Sequence, residues 1–165
     1  MKSANVLSAT RSSRMRIVDF LKKDCVCLEL KSKDKDGVIG EMLSLLEGHP
    51  AVPDVEAFGR AVMEREAQAS TGVGHGVAIP HARTETVNDF VAVVARSTDG
   101  VDFDSIDGKP VHVFVLMGVP QKKVHSYMKM LAHLSHLFKR QELVGNIMNA
   151  ADAATVIELL RLNER

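Results

Sequence analysis

Residues 111 to 119 read Val-His-Val-Phe-Val-Leu-Met-Gly-Val, a run too apolar for a strand with one face in water. It predicts a central strand, and a central strand needs neighbours on both sides and helices over its faces. The rest of the chain supplies them. A Val-rich segment from Asp89 to Ser97 reads as a second strand, with a turn at Thr98-Asp99-Gly100. A further strand is expected near Cys25 to Leu30. Helical periodicity marks Asp36 to Glu47, stopped by Gly48-His49-Pro50, and a helix capped by Asp54 that reaches Glu66. Further helices follow over Val124 to Lys139, Glu142 to Asn149, and from an Asp152 cap to Leu162. Ile17 to Leu21 reads as a short helix or turn. This order predicts an α/β fold: a single domain with a mixed β-sheet flanked by α-helices, over residues 15–165. Residues 1–14 are polar and read as a flexible N-terminal arm.

Composition excludes several classes of function. The 21 basic and 21 acidic side chains balance, which argues against a dedicated nucleic-acid binder. No apolar run reaches the roughly 18 residues of a membrane span, and the N-terminus lacks the apolar core of a secretory signal. Cys25 and Cys27 alone do not complete a zinc site, and reduced thiols fit a cytoplasmic protein. With no Trp and one Tyr, the chain has no aromatic platform for a sugar, which fits protein partners. His133 and His136, three residues apart on one predicted helix, lack the further ligands a metal needs. His112, inside the central strand, reads as a structural histidine.

The chemistry concentrates in Ser70-Thr71-Gly72-Val73-Gly74-His75-Gly76-Val77-Ala78-Ile79-Pro80-His81. Three alternating glycines in an extended segment would leave one face bare for a close approach. Val77 to Ile79 reads as a buried strand. Pro80 fixes its own φ, so the chain is expected to leave the strand there and present His81 on a stiff turn. A dinucleotide fingerprint fails because Val77 stands where its third glycine belongs, and no P-loop ending is present. By spacing alone, a reactive histidine and a locally bonded one are both open.

The run STGVGHGVAIPHAR resembles the active-site signature of the mannitol/fructose-type enzyme IIA proteins of the bacterial phosphoenolpyruvate-dependent phosphotransferase system, a group that includes the nitrogen-regulatory branch. Glu64-Arg65-Glu66, the segment Val101 to Val111, and Leu131 to Phe138 are similar to that family in the same order. The resemblance runs from Ile17 to the C-terminus and implies the same fold. It implies that His81 accepts a phosphoryl group from HPr or a nitrogen-branch HPr-like carrier, with no metal or other cofactor. Arg65, sixteen residues before His81, is then the cation that binds phosphoryl oxygens, and Arg83 is a weaker candidate. His75 is placed near a partner. The family's second histidine falls at Tyr127 by alignment, with His125 two residues earlier, and either side chain is a candidate to assist His81. Onward transfer to an enzyme IIB of a fructose- or mannitol-type sugar system is one reading. A regulatory target of the nitrogen type is the favoured one, on the free-standing chain and on Tyr127.

Overall fold

In the computed structural model, which describes residues 14–165, the apolar run becomes β6 (Val111–Pro120), the middle of a six-stranded mixed sheet. Every residue of β6 except His112 and Pro120 is buried. β5 (Val91–Val101) lies antiparallel on one side, from Val91 opposite Gly118 to Val101 opposite Val111. On the other side run β3 (Val77–Ala78) and β4 (His81–Thr84), both parallel to β6. β1 (Val26–Cys27) pairs in parallel with β5, and β2 (Gly72–Gly74) pairs antiparallel with β3. The fold is the α/β one expected, with a mixed sheet and five α-helices among the described residues. The arm read over residues 1–14 lies, apart from Arg14, outside the described residues.

The helices begin where short acidic side chains can take up free N–H groups. Asp34 accepts from Gly37 N–H at 2.7 Å and opens α1 (Lys35–Ser44). Asp54 accepts from Ala57 N–H at 3.0 Å and opens α2 (Val55–Gln68), and Asp152 accepts from Thr155 N–H at 2.7 Å and opens α5 (Ala153–Asn163). Each cap stabilises its helix by about 1 kcal/mol. Between them run α3 (Val124–Leu137) and α4 (Gln141–Asn149). Phe58 of α2 and Phe103 and Phe114 under the sheet are fully buried, the last two edge to face at 5.4 Å. Arg96 of β5 joins the layers, donating to the carbonyls of Leu28, Ile147 and Ala150 at 2.6–2.7 Å.

Two strand expectations are corrected. The strand near Cys25 to Leu30 contracts to two residues, because Cys25 N–H bonds back to Lys22 O at 3.0 Å and closes a 3₁₀ turn over Lys23–Cys25. The turn expected at Thr98-Asp99-Gly100 is a bulged part of β5 instead, with the pairing displaced between Arg96 and Val101. The local bonds explain it: His112 Nδ1 meets Ser97 O at 3.0 Å, and Gly100 N–H donates to Ser97 Oγ at 3.2 Å. The extra residues are thereby held against β6. His112 is the satisfied structural histidine that was expected.

Candidate active site

The glycines of the signature do not leave a bare face. Gly74, His75 and Gly76 all take positive φ, 90°, 57° and 77°, and together form the turn of the β2–β3 hairpin. Gly72 lies against the following loop, where a Cβ would come within 2.7 Å of Ser105 Cα. The glycines therefore make a tight hairpin and dock it on residues 105–107, with His75 N–H donating to Asp107 Oδ2 at 3.2 Å.

Pro80 falls in the gap between two strands but does not turn the chain away from β6. β3 and β4 meet β6 in one unbroken register, Val77 opposite Val113, Ala78 opposite Phe114, His81 opposite Met117 and Thr84 opposite Pro120. Pro80 interrupts the ladder only by lacking an N–H, and its carbonyl still accepts from Met117 N–H at 3.0 Å. His81 thus opens an extended strand rather than sitting on a turn. Its backbone geometry is set by the central strand of the sheet.

A chain of hydrogen bonds then orients the ring. Glu66, near the end of α2, is 5% exposed. Its carboxylate accepts from Thr71 N–H at 3.0 Å and Thr71 Oγ–H at 2.6 Å, and pairs with Lys35 Nζ at 3.0 Å. The Thr71 carbonyl accepts from Ile79 N–H at 3.0 Å. The Ile79 carbonyl lies 2.8 Å from His81 Nδ1, so Nδ1 carries the proton and donates it. The lone pair is left on Nε2, which is buried and has no hydrogen-bond partner among the described residues. Burial pushes the His81 ring below the ordinary histidine value. The Ile79 carbonyl opposes that shift, the Arg65 charge adds to it, and Glu66 opposes it. The ring is therefore neutral and nucleophilic at pH 7.

Neither Glu66 nor Thr71 was singled out from the sequence for this role. The signal was present: Phe58, Val62 and Glu66 follow at four-residue steps, so Glu66 continues the buried stripe of α2. An acidic residue in such a stripe demands partners.

The candidates separate by element. Tyr127 of α3 stands beside His81, ring centroids 5.6 Å apart and tilted by 50°. Arg83 shares the His81 face of β4, two residues on, with its guanidinium 5.9 Å from the Tyr127 ring and a hydrogen bond to Gln121 O. Arg65, one residue before Glu66, donates from Nη1 to Ala69 O at 2.9 Å. That bond engages one of its five N–H groups, and its charge is felt at His81. His125 is exposed and lines a cavity with Lys129, His133 and His136, a different set of neighbours from those of Tyr127. The structure brings Tyr127 to His81 and not His125, because two residues along a helix turn the side chain by about 200°. No group of three metal-ligating side chains is gathered among the described residues, and Cys25 and Cys27 are both free thiols.

The family model of the phosphoenolpyruvate-dependent sugar phosphotransferase system EIIA 2 domain matches residues 19–162. The chain belongs to that EIIA family. The family takes part in phosphoryl transfer within the phosphotransferase system. One relative, the fructose-specific EIIABC component of Bacillus subtilis, is 33% identical over 151 residues, which is 92% of this chain. The match spans only 24% of that longer protein. The nitrogen regulatory protein of Bradyrhizobium diazoefficiens is 27% identical over 90% of this chain and 96% of its own length. Among solved structures, nitrogen regulatory protein IIA-Ntr from Neisseria meningitidis superposes with a TM-score of 0.82 at 28% identity, covering 87% of this chain and 98% of that one. No described helix of this EIIA is long and apolar enough to cross a membrane.

Proposed function

We propose that this EIIA accepts a phosphoryl group on Nε2 of His81 from the phosphohistidine of an HPr-like carrier in the cytoplasm. The observation that carries the reading is the committed ring: Nδ1 bound to the Ile79 carbonyl and Nε2 left as the lone-pair nitrogen. The Nε2 lone pair forms a bond to phosphorus while the bond from phosphorus to the carrier's imidazole breaks, and the carrier ring leaves with that electron pair. The positive charge that the His81 ring gains is shared with the Ile79 carbonyl through Nδ1–H. Arg65 neutralises the equatorial phosphoryl oxygens, and the Tyr127 hydroxyl donates to one of them. His125, on its separate cavity, takes no part in this reading.

The regulatory, nitrogen-type role is supported by the likeness to the Neisseria structure, with a TM-score of 0.82 at 28% identity, and to the Bradyrhizobium protein. There the added charge of about −1.5 to −2 on His81 switches contact with a target protein. The higher identity to the fructose-specific EIIABC component supports the second reading, delivery to an enzyme IIB for fructose- or mannitol-type uptake.

Intact-mass detection of transfer from phosphoenolpyruvate through enzyme I and the carrier tests the site. A phosphoryl adduct on the wild type that is absent from a folded His81→Ala variant is expected. Arg65→Ala should slow acceptance by about tenfold or more, the loss of one charge-assisted contact. An adduct that persists in His81→Ala would move the acceptor elsewhere.

A further inference from the structure

We infer that α3 carries a second, separate site: a binding cavity for a small oxyanion with two or more negative charges. The cavity encloses about 720 Å³, within the range of small-molecule sites. Its polar lining is Arg14, His125, Ser126, Lys129, His133 and His136. His125, Lys129, His133 and His136 stand at steps of four, four and three residues, so they form one stripe along the helix. Lys129, with Arg14 across the cavity, supplies fixed positive charge, and the imidazoles add N–H donors beside it.

The neighbouring sequence places no acidic residue along that stripe. The whole chain is balanced, yet residues 108–141 contain no Asp or Glu and hold six Lys or Arg and four His. Among the described residues, Arg14, His125, Lys129 and His136 make no ion pair. His133 does: its Nε2 meets the buried Glu164 at 2.7 Å, which fixes the ring and leaves Nδ1 as its free nitrogen. The histidines do not gather into a metal-ligand set.

The shape narrows the ligand. Arg14, Lys129 and the imidazoles line a concavity rather than a flat face, so the fit is to a small anion and not to an extended polyanion. The other walls are Met15 and Met130, with no aromatic ring to stack a base. Phosphoryl and carboxylate groups share the required chemistry, since both accept several charge-assisted hydrogen bonds.

Isothermal titration of the full chain with pyrophosphate and, separately, with citrate tests the site, and backbone amide shifts locate it. Saturable binding is expected for at least one probe, with shifts at residues 125–136. Lys129 and His136 are exposed, so the Lys129→Gln/His136→Gln double variant folds and should bind about tenfold or more weakly. His81→Ala should bind as the wild type does, which keeps this outcome separate from that of the phosphotransfer experiment. Response to pyrophosphate alone or to citrate alone supports the site and names the oxyanion class. No saturable binding of either probe up to about 10 mM, unchanged affinity in the double variant, or loss of binding in His81→Ala would overturn it.

Discussion

Glu66 and Glu164 are both buried carboxylates, 5% and 3% exposed, and both accept backbone N–H groups from a neighbouring segment. Glu66 holds Thr71 at the start of the signature hairpin, and Glu164 holds Ile17 at 2.8 Å, near the first of the described residues. Their counter-charges differ. Glu66 faces Lys35: burial pulls that ammonium down, but the hydrogen bonds and charges of Glu66 and Asp104 outweigh it and hold Lys35 above the ordinary lysine value. Glu164 faces a histidine, His133. One anchor is thus paired with an ammonium, and it sits three hydrogen bonds from His81. The other leans on an imidazole and closes the fold where the two ends of the domain meet. The comparison teaches that the lysine-paired carboxylate is placed where the orientation of the His81 ring depends on it.

The largest effect expected from this contrast is at Glu66. Glu66→Ala leaves the N–H and Oγ–H of buried Thr71 without their acceptor and removes one of the two carboxylates facing the half-buried Lys35 ammonium, so unfolding by urea should show a loss of about 3–5 kcal/mol. Where the variant is still folded, it should also accept phosphoryl groups more slowly, because the Thr71–Ile79–His81 chain has lost its anchor. A loss no larger than that of Glu164→Ala would break the comparison. For Glu164→Ala the expected loss is about 1–3 kcal/mol, the scale of hydrogen bonds to a charged group, with the acceptance rate unchanged in the folded protein.

The smallest effect concerns His81 itself. Burial holds its native ring below the ordinary value. As pH falls below about 6.5, the unfolded chain takes up a proton that the native state refuses. Stability from this source is therefore present above that pH and declines from there down to the native pKa. Burial shifts His49 in the same direction. Denaturant midpoints between pH 7.5 and 5.5 should fall less steeply for His81→Gln than for the wild type. Parallel slopes would mean that burial does not set the ring's proton affinity.

Much of the architecture was legible because its signals are local. The apolar run of β6, the Asp54 and Asp152 caps and the helix spans needed only neighbouring residues to be read. The acceptor candidate was legible through the signature, as was Tyr127 beside it. What the sequence hid depends on distant partners. Lys35 is 31 residues from Glu66 and the Glu164 contact spans 147, so neither pairing shows in a local pattern. The two misread turns share a cause. Proline and glycine were read as ends of strands, yet long-range pairing with β6 carried the chain straight through Pro80 and bulged it at Gly100. His125 against Tyr127 was a matter of helical phase, which a shift of two residues decides.

The single register of β3 and β4 along β6 has a dynamic consequence. Amides of β6, bonded on both sides into the middle of the sheet, open only with large-scale unfolding, so hydrogen exchange around residues 113–119 should be among the slowest in the molecule. The proposed acceptor ring is moored to that slow-exchanging block. Handing a phosphoryl group on or off then requires no swing of its backbone. In the proposed transfer the partner's side chain comes to a nitrogen whose backbone stays in place, and only the side chains that bury Nε2 give way.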